Sequence, residues 1–102
     1  MTLTPLSEVD DQEIFTRGTR FRIYNVGLNV TDKKDDYYEY MLADNPSEPD
    51  YMLLTNVVGY KAGSSLALVK TLEDKTKLGV SGQAIKYSMG TENTFLLKEC
   101  DN

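Results

Sequence analysis

Tyr37-Tyr38-Glu39-Tyr40-Met41-Leu42, then Asp44-Asn45-Pro46-Ser47-Glu48-Pro49-Asp50, then the run Tyr51 to Val58 make up the stretch that decides the fold. In the first segment Tyr38, Tyr40 and Leu42 share one side and Tyr37, Glu39 and Met41 the other, the period-two alternation of a strand. The second segment has two prolines and no apolar residue, which makes it a loop. The third is apolar on both faces, which predicts the central strand of a sheet. A connection this short joins antiparallel neighbours, because a parallel return needs roughly a dozen residues or more.

Upstream, Phe21 and Ile23 alternate with Arg20, Arg22 and Tyr24, and Arg17-Gly18 marks the turn before them. The apolar set then changes parity to Val26, Leu28 and Val30, which flips the buried face and predicts a bulge or break near Asn25 to Gly27. Ser7 to Asp11 offers one helical turn, with Ser7 as cap and Asp10 at the capping-box spacing, while Ile14 and Phe15 read equally well as strand. Downstream, Gly59-Tyr60-Lys61-Ala62-Gly63 is a hairpin-type connection. Ser64 to Lys70 follows as a strand with Leu66 and Leu68 opposite Ala67 and Val69, and Thr71 to Lys77 is a polar loop. One helix is predicted next, capped by Ser81, with Val80, Ala84, Ile85 and Met89 near one face and Gly90 at its end. Thr94 to Leu97 is a last short strand. The sum is an α+β, mostly β fold: a curled antiparallel sheet or small partly open barrel with one C-terminal helix, in a single domain spanning residues 1–102.

With 40% hydrophobic and 26% charged residues in an 11.5 kDa chain, the composition is that of a globular domain of modest core. No apolar run approaches the ~20 residues of a membrane-spanning helix. Met1 to Pro5 carries no basic residue and no apolar stretch, so the expected location is cytoplasmic. The chain has no His and one Cys, Cys100, which excludes His/Cys zinc sites, CxxC redox pairs and His-dependent triads. Asp44 to Asp50 lacks the glycine and terminal Glu of a calcium loop. The Gly59 to Gly63 segment lacks the frame of a phosphate-binding loop. The expectation is a protein that is not an enzyme and uses no cofactor or metal.

Charge is segregated. Residues 1–16 carry −4, residues 17–34 carry +4, residues 35–50 carry −6 and residues 51–102 carry +1, for a net of −5. The block at 35–50 predicts a basic protein partner and argues against nucleic acid and anionic membrane. Tyr beside carboxylates is a composition suited to an interface, since Tyr buries area with few rotors and carboxylates pair with Arg or Lys. The candidate partner-binding residues are Asp35, Asp36, Tyr37, Glu39, Asp44, Glu48 and Asp50. Tyr38 and Tyr40 suit the core and a presented face equally well.

Arg17-Gly18-Thr19-Arg20-Phe21-Arg22, Tyr40-Met41-Leu42-Ala43-Asp44-Asn45-Pro46 and Gly59-Tyr60-Lys61-Ala62-Gly63, in this order with the apolar strand that follows, resemble the immunity protein 45 family of bacterial polymorphic toxin systems over residues 13–70. The family continues with a helix, as Leu78 to Met89 does here, but carries a Trp in it where this chain has Ile85 and Tyr87. The resemblance implies a cytoplasmic protein that binds and neutralises a cognate toxin domain. It carries over no catalytic residue, and Gly18, Gly59 and Gly63 read as structural. A protein- or peptide-binding module that uses a sheet edge is the alternative. The oligomeric state is monomer or homodimer, because an exposed edge strand can pair two copies.

Overall fold

The computed structural model of the chain describes residues 2–24, 37–58, 65–73 and 78–98. Strands run over Thr2–Pro5 (β1), Ile14–Phe15 (β2), Arg20–Tyr24 (β3), Tyr37–Ala43 (β4), Tyr51–Val58 (β5), Ser65–Lys70 (β6), Val80–Ser81 (β7) and Thr94–Lys98 (β8), and one helix, α1, spans Gly82–Met89. Six strands form a sheet in the order β1-β8-β3-β4-β5-β6, and β2 pairs with β7 beside it. All pairings are antiparallel. The sheet is curled and does not close, so the expected mostly β fold holds in its open form. Among the described residues no helix is long and apolar enough to cross a membrane.

Side-chain alternation builds the core. The register sets Phe21 opposite Tyr40 and Leu96, and Leu42 opposite Leu54. Phe21, Leu42 and Leu54 are wholly buried. Leu6 and Val9 from a 3-10 turn at Leu6–Glu8, Phe15 and Val80 from the small strand pair, and Ile85 from α1 close over that face. The Phe15 ring meets Phe21 edge-on at 5.6 Å, which ties the small pair to the large sheet. Tyr40 is buried and Tyr38 packs against the same cluster, so both tyrosines belong to the interior.

The helix forms where the sequence predicts it. Ser81 Oγ accepts the Ala84 N–H at 3.1 Å, and the Gly82 and Gln83 N–H groups donate to the carbonyls of Glu13 and Asp11. Three donors that a helix start leaves without intrahelical partners are thereby satisfied. Gly90, at φ 76, ends the helix. Ile85 faces the core at 0% exposure, whereas Tyr87 is 92% exposed.

Two expectations need correction, one open reading is decided, and one strand is added. Tyr51–Val58 is not the central strand; β3 and β4 hold the middle, and β5 lies one strand in from the β6 edge. Its two-sided apolar content reflects Met52 and Leu54 in the core with Leu53 and Val57 half-buried on the other face. Ser7 caps nothing: the turn starts at Leu6 after Pro5 without a side-chain cap, and Asp10 Oδ1 accepts the Gln12 N–H at 2.8 Å. Ile14 and Phe15 take the strand reading, and Thr2–Pro5 adds a strand against β8 that its short polar sequence does not announce. The parity change at Asn25 to Gly27, the strand beyond it and the Gly59 to Gly63 connection lie outside the described residues.

Gly79 stands at φ 121, where a Cβ would run into the Phe15 carbonyl oxygen. Gly18, at φ 95, has open space around it. In urea unfolding Gly79→Ala is expected to lose about 3 kcal/mol, and Gly18→Ala about 1 kcal/mol of backbone strain alone. Equal losses would show that the contact between Gly79 and Phe15 is not a constraint.

Candidate protein-binding site

The loop after β4 is held at both ends. The Glu48 N–H donates to the Asn45 carbonyl at 3.1 Å and the Tyr51 N–H to the Glu48 carbonyl at 3.0 Å, so the two prolines sit in consecutive turns. The Asp50 carbonyl accepts the Thr71 N–H at 2.9 Å and the Thr71 hydroxyl at 3.1 Å. Beside the loop, the Arg17–Gly18 turn is fixed to β4 by the Gly18 N–H, which donates to the Leu42 carbonyl at 2.9 Å. This sets Arg17 Nη1 3.0 Å from Asp44 Oδ2, with 74% and 60% of the two side chains exposed. At that exposure the pair orients the turn and contributes little stability.

Among these segments lies a cleft of about 370 Å³ lined by Arg17, Asp44, Pro49, Leu78, Gly79 and the buried Met52. Leu78 is 82% exposed, and Ile14, which lies against Gly79, is 41% exposed. Glu48 and Asp50 are exposed on the same loop. An exposed apolar side chain in a cleft that also holds Asp44, next to a loop that exposes two further carboxylates, is a composition suited to a protein contact, in which an apolar centre excludes water and nearby charges orient the partner.

The seven candidate residues do not form one surface. Tyr37 and Asp44 stand at opposite ends of β4, a separation of about 20 Å at the rise of a strand. Glu39 is no exposed acid; its side chain is 4% exposed, with Oε1 3.1 Å from Arg22 Nη2 and Oε2 3.1 Å from Arg20 Nη1. The cause is register: Arg22 lies directly opposite Glu39 on the sheet face away from the core, with Arg20 two residues along. Tyr37 is half-buried, its ring covered by the Arg22 guanidinium at 4.0 Å. Arg22 also donates to the Tyr24 hydroxyl at 3.1 Å. Asp35 and Asp36 lie outside the described residues. Asp44, Glu48 and Asp50 remain together on the loop.

Burial pulls the Arg22 guanidinium down, but its hydrogen bonds to Tyr24 and Glu39 outweigh that and hold it above its ordinary value. A raised folded value gives stability that is present at all pH below the ordinary guanidinium range and is lost only as pH rises through the folded value. Arg22 therefore stays charged at neutral pH. The Arg22 Nε is buried and lacks a hydrogen-bond partner among the described residues.

Sequence reasoning missed Leu78, Ile14 and Arg17. Leu78 carries a faint signal, an apolar residue between the polar Thr71 to Lys77 segment and Gly79. Among the described residues no three His, Cys, Asp or Glu side chains are grouped to hold a metal ion. In comparisons with known proteins, no family model, no curated protein and no solved structure matches this chain.

Glu39→Gln leaves Arg22 buried without its counter-charge and is expected to cost about 3 kcal/mol of unfolding free energy. Combining Glu39→Leu with Arg22→Met is expected to recover most of that loss, because both desolvation costs vanish together. A double variant as unstable as Glu39→Gln would mean that the pair acts through more than its mutual charge.

Proposed function

We propose that this chain is an immunity protein that binds a cognate bacterial toxin domain in the cytoplasm and neutralises it by covering it. The observation that carries the reading is the cleft in which the exposed Leu78 and the carboxylate-bearing loop flank one another. The resemblance of the Arg17 to Arg22 and Gly59 to Gly63 segments to a family of immunity proteins supports it.

The partner is basic. Among the described residues eight carboxylates are exposed against four Lys or Arg, and two of those four, Arg17 and Arg20, are bonded to Asp44 and Glu39. Such a surface attracts a positively charged domain over the last ångströms of approach and repels phosphate. The mechanism is occlusion: Glu48 and Asp50 pair with Lys or Arg of the toxin, Asp44 joins them where Arg17 gives way, and Leu78 and Ile14 supply the apolar centre. Glu39 and Tyr37 serve the sheet rather than the contact.

A pull-down from the protein's own cell, washed at low and at high salt, names the partner by mass spectrometry. A single protein with a basic domain, released by salt, is expected. Unrelated peptides held equally at high salt would overturn the reading in favour of a peptide-binding module. With the partner in hand, Glu48→Lys with Asp50→Lys is expected to slow association about tenfold at low ionic strength and to weaken its salt dependence. Leu78→Ala is expected to raise dissociation by about tenfold. Unchanged kinetics in both variants would contradict the site.

A further inference from the structure

Among the described residues four large hydrophobic side chains stand exposed: Ile14, Leu68, Leu78 and Tyr87. Leu68 is on the outer face of the sheet, opposite Leu53. The other three gather around the small strand pair. The Ile14 side chain lies against Gly79, the residue after Leu78. Across the pair Ile14 is opposite Ser81, and Ser81 lines a second groove, of about 560 Å³, together with Thr71, Glu73, Gln83 and Tyr87. Thr71 belongs both to this groove and to the cleft at Leu78, so the two are contiguous. The Leu72 N–H donates to the Gly79 carbonyl at 3.1 Å, which fixes the two depressions relative to one another.

Tyr87 stands in water because of helix geometry. Two residues of helix turn the chain by about 200°, so with Ile85 in the core Tyr87 points away from it. A helix face turned to water ordinarily carries polar residues, and a tyrosine there is large hydrophobic area without a partner. The acidic segment at residues 8–13 packs at the start of the same helix. The Gly82 and Gln83 N–H groups donate to the Glu13 and Asp11 carbonyls, and Lys86 Nζ is 2.7 Å from Asp11 Oδ1. Around this groove Asp10, Asp11, Glu13 and Glu73 stand against Lys70 and Lys86, and Lys86 is already bonded to Asp11.

We infer that the basic toxin domain reaches past the Leu78 cleft into the α1 groove, with Tyr87 as its second anchor and the carboxylates of residues 10–13 and Glu73 as a second acidic flank. The identity of the partner rests on the immunity reading above. Three observations select this direction of spread. A stable protein contact takes roughly 20–30 residues a side, so a complex seated on the small cleft must also cover neighbouring surface. The α1 groove is contiguous with the cleft and carries the same combination of exposed hydrophobic side chain and excess carboxylate. The outer sheet face does not suit a basic partner, because it carries Arg20 and Arg22 and its Glu39 is already bonded to both. The two acidic blocks of the sequence, far apart in the chain, thereby flank one surface with Ile14, Leu78 and Tyr87 along it. Tyrosine suits the role of anchor, since it buries a large area at the cost of few rotors.

The test is site-specific photo-cross-linking in the protein's own cell. The photoreactive residue p-benzoylphenylalanine is placed at Leu78, at Tyr87 and, as a control on the outer sheet face, at Leu68; all three side chains are exposed, so the fold tolerates the exchange. Irradiation is expected to join Leu78 and Tyr87 to one and the same protein, identified by mass spectrometry as carrying a basic domain, and to join Leu68 to none. With that protein purified, Tyr87→Ala is expected to raise its dissociation rate about tenfold with an unchanged circular dichroism spectrum. Glu73→Lys is expected to slow association about threefold at low ionic strength. Cross-linking at Leu78 with none at Tyr87, a different protein at Tyr87, or dissociation unmoved by Tyr87→Ala overturns this inference and leaves the immunity reading standing. No cross-link at either position overturns both.

Discussion

Glu39 is 3% exposed on the outer face of a sheet, and a carboxylate survives there only because two guanidinium groups bond both of its oxygens. That arrangement follows from alternation. Once Phe21, Tyr40 and Leu42 turn inward to form the core, Arg20, Arg22, Tyr37 and Glu39 have no choice but the opposite face. Shifting β3 against β4 by one residue would bury charge in the core and expose Phe21. The ion pair and the core therefore fix the same register from the two sides of the sheet.

The consequences reach the candidate site through β4. Its seven residues carry the chain from the aromatic cluster at Tyr37 to the Arg17–Asp44 pair at the other end. The acidic block of residues 35–50, continuous in sequence, is thus divided in space: one member is used up inside the sheet, and three gather on the loop beside Leu78. Charge that reads as one patch along a chain becomes a structural pair at one place and a rim at another.

Much of the fold was legible because its signals are local. Alternation at Tyr37 to Leu42, prolines at 46 and 49, and the Ser81 cap with Gly90 after Met89 each act within a few residues, and each element formed as expected. What was not legible depends on partners far away in the chain. Thr2–Pro5 is a strand because β8 offers it an edge, and β5 loses the centre because β8 and β1 add strands on the far side of β3. The burial of Glu39 required knowing that β3 lies beside β4 in a register that opposes it to Arg22. Leu78 stands out only once Gly79 is seen pressed against Phe15, which leaves its neighbour directed to solvent.

The central claim is that the partner seats on the loop and Leu78 rather than on the open sheet. Backbone hydrogen exchange of the chain, alone and in complex with the partner, tests it most directly. Added protection at residues 44–52 and 78–81 is the predicted result. Protection gained instead along 20–24 and 37–41, with the loop unchanged, would contradict the account and make the face carrying Arg22 and Tyr37 the contact.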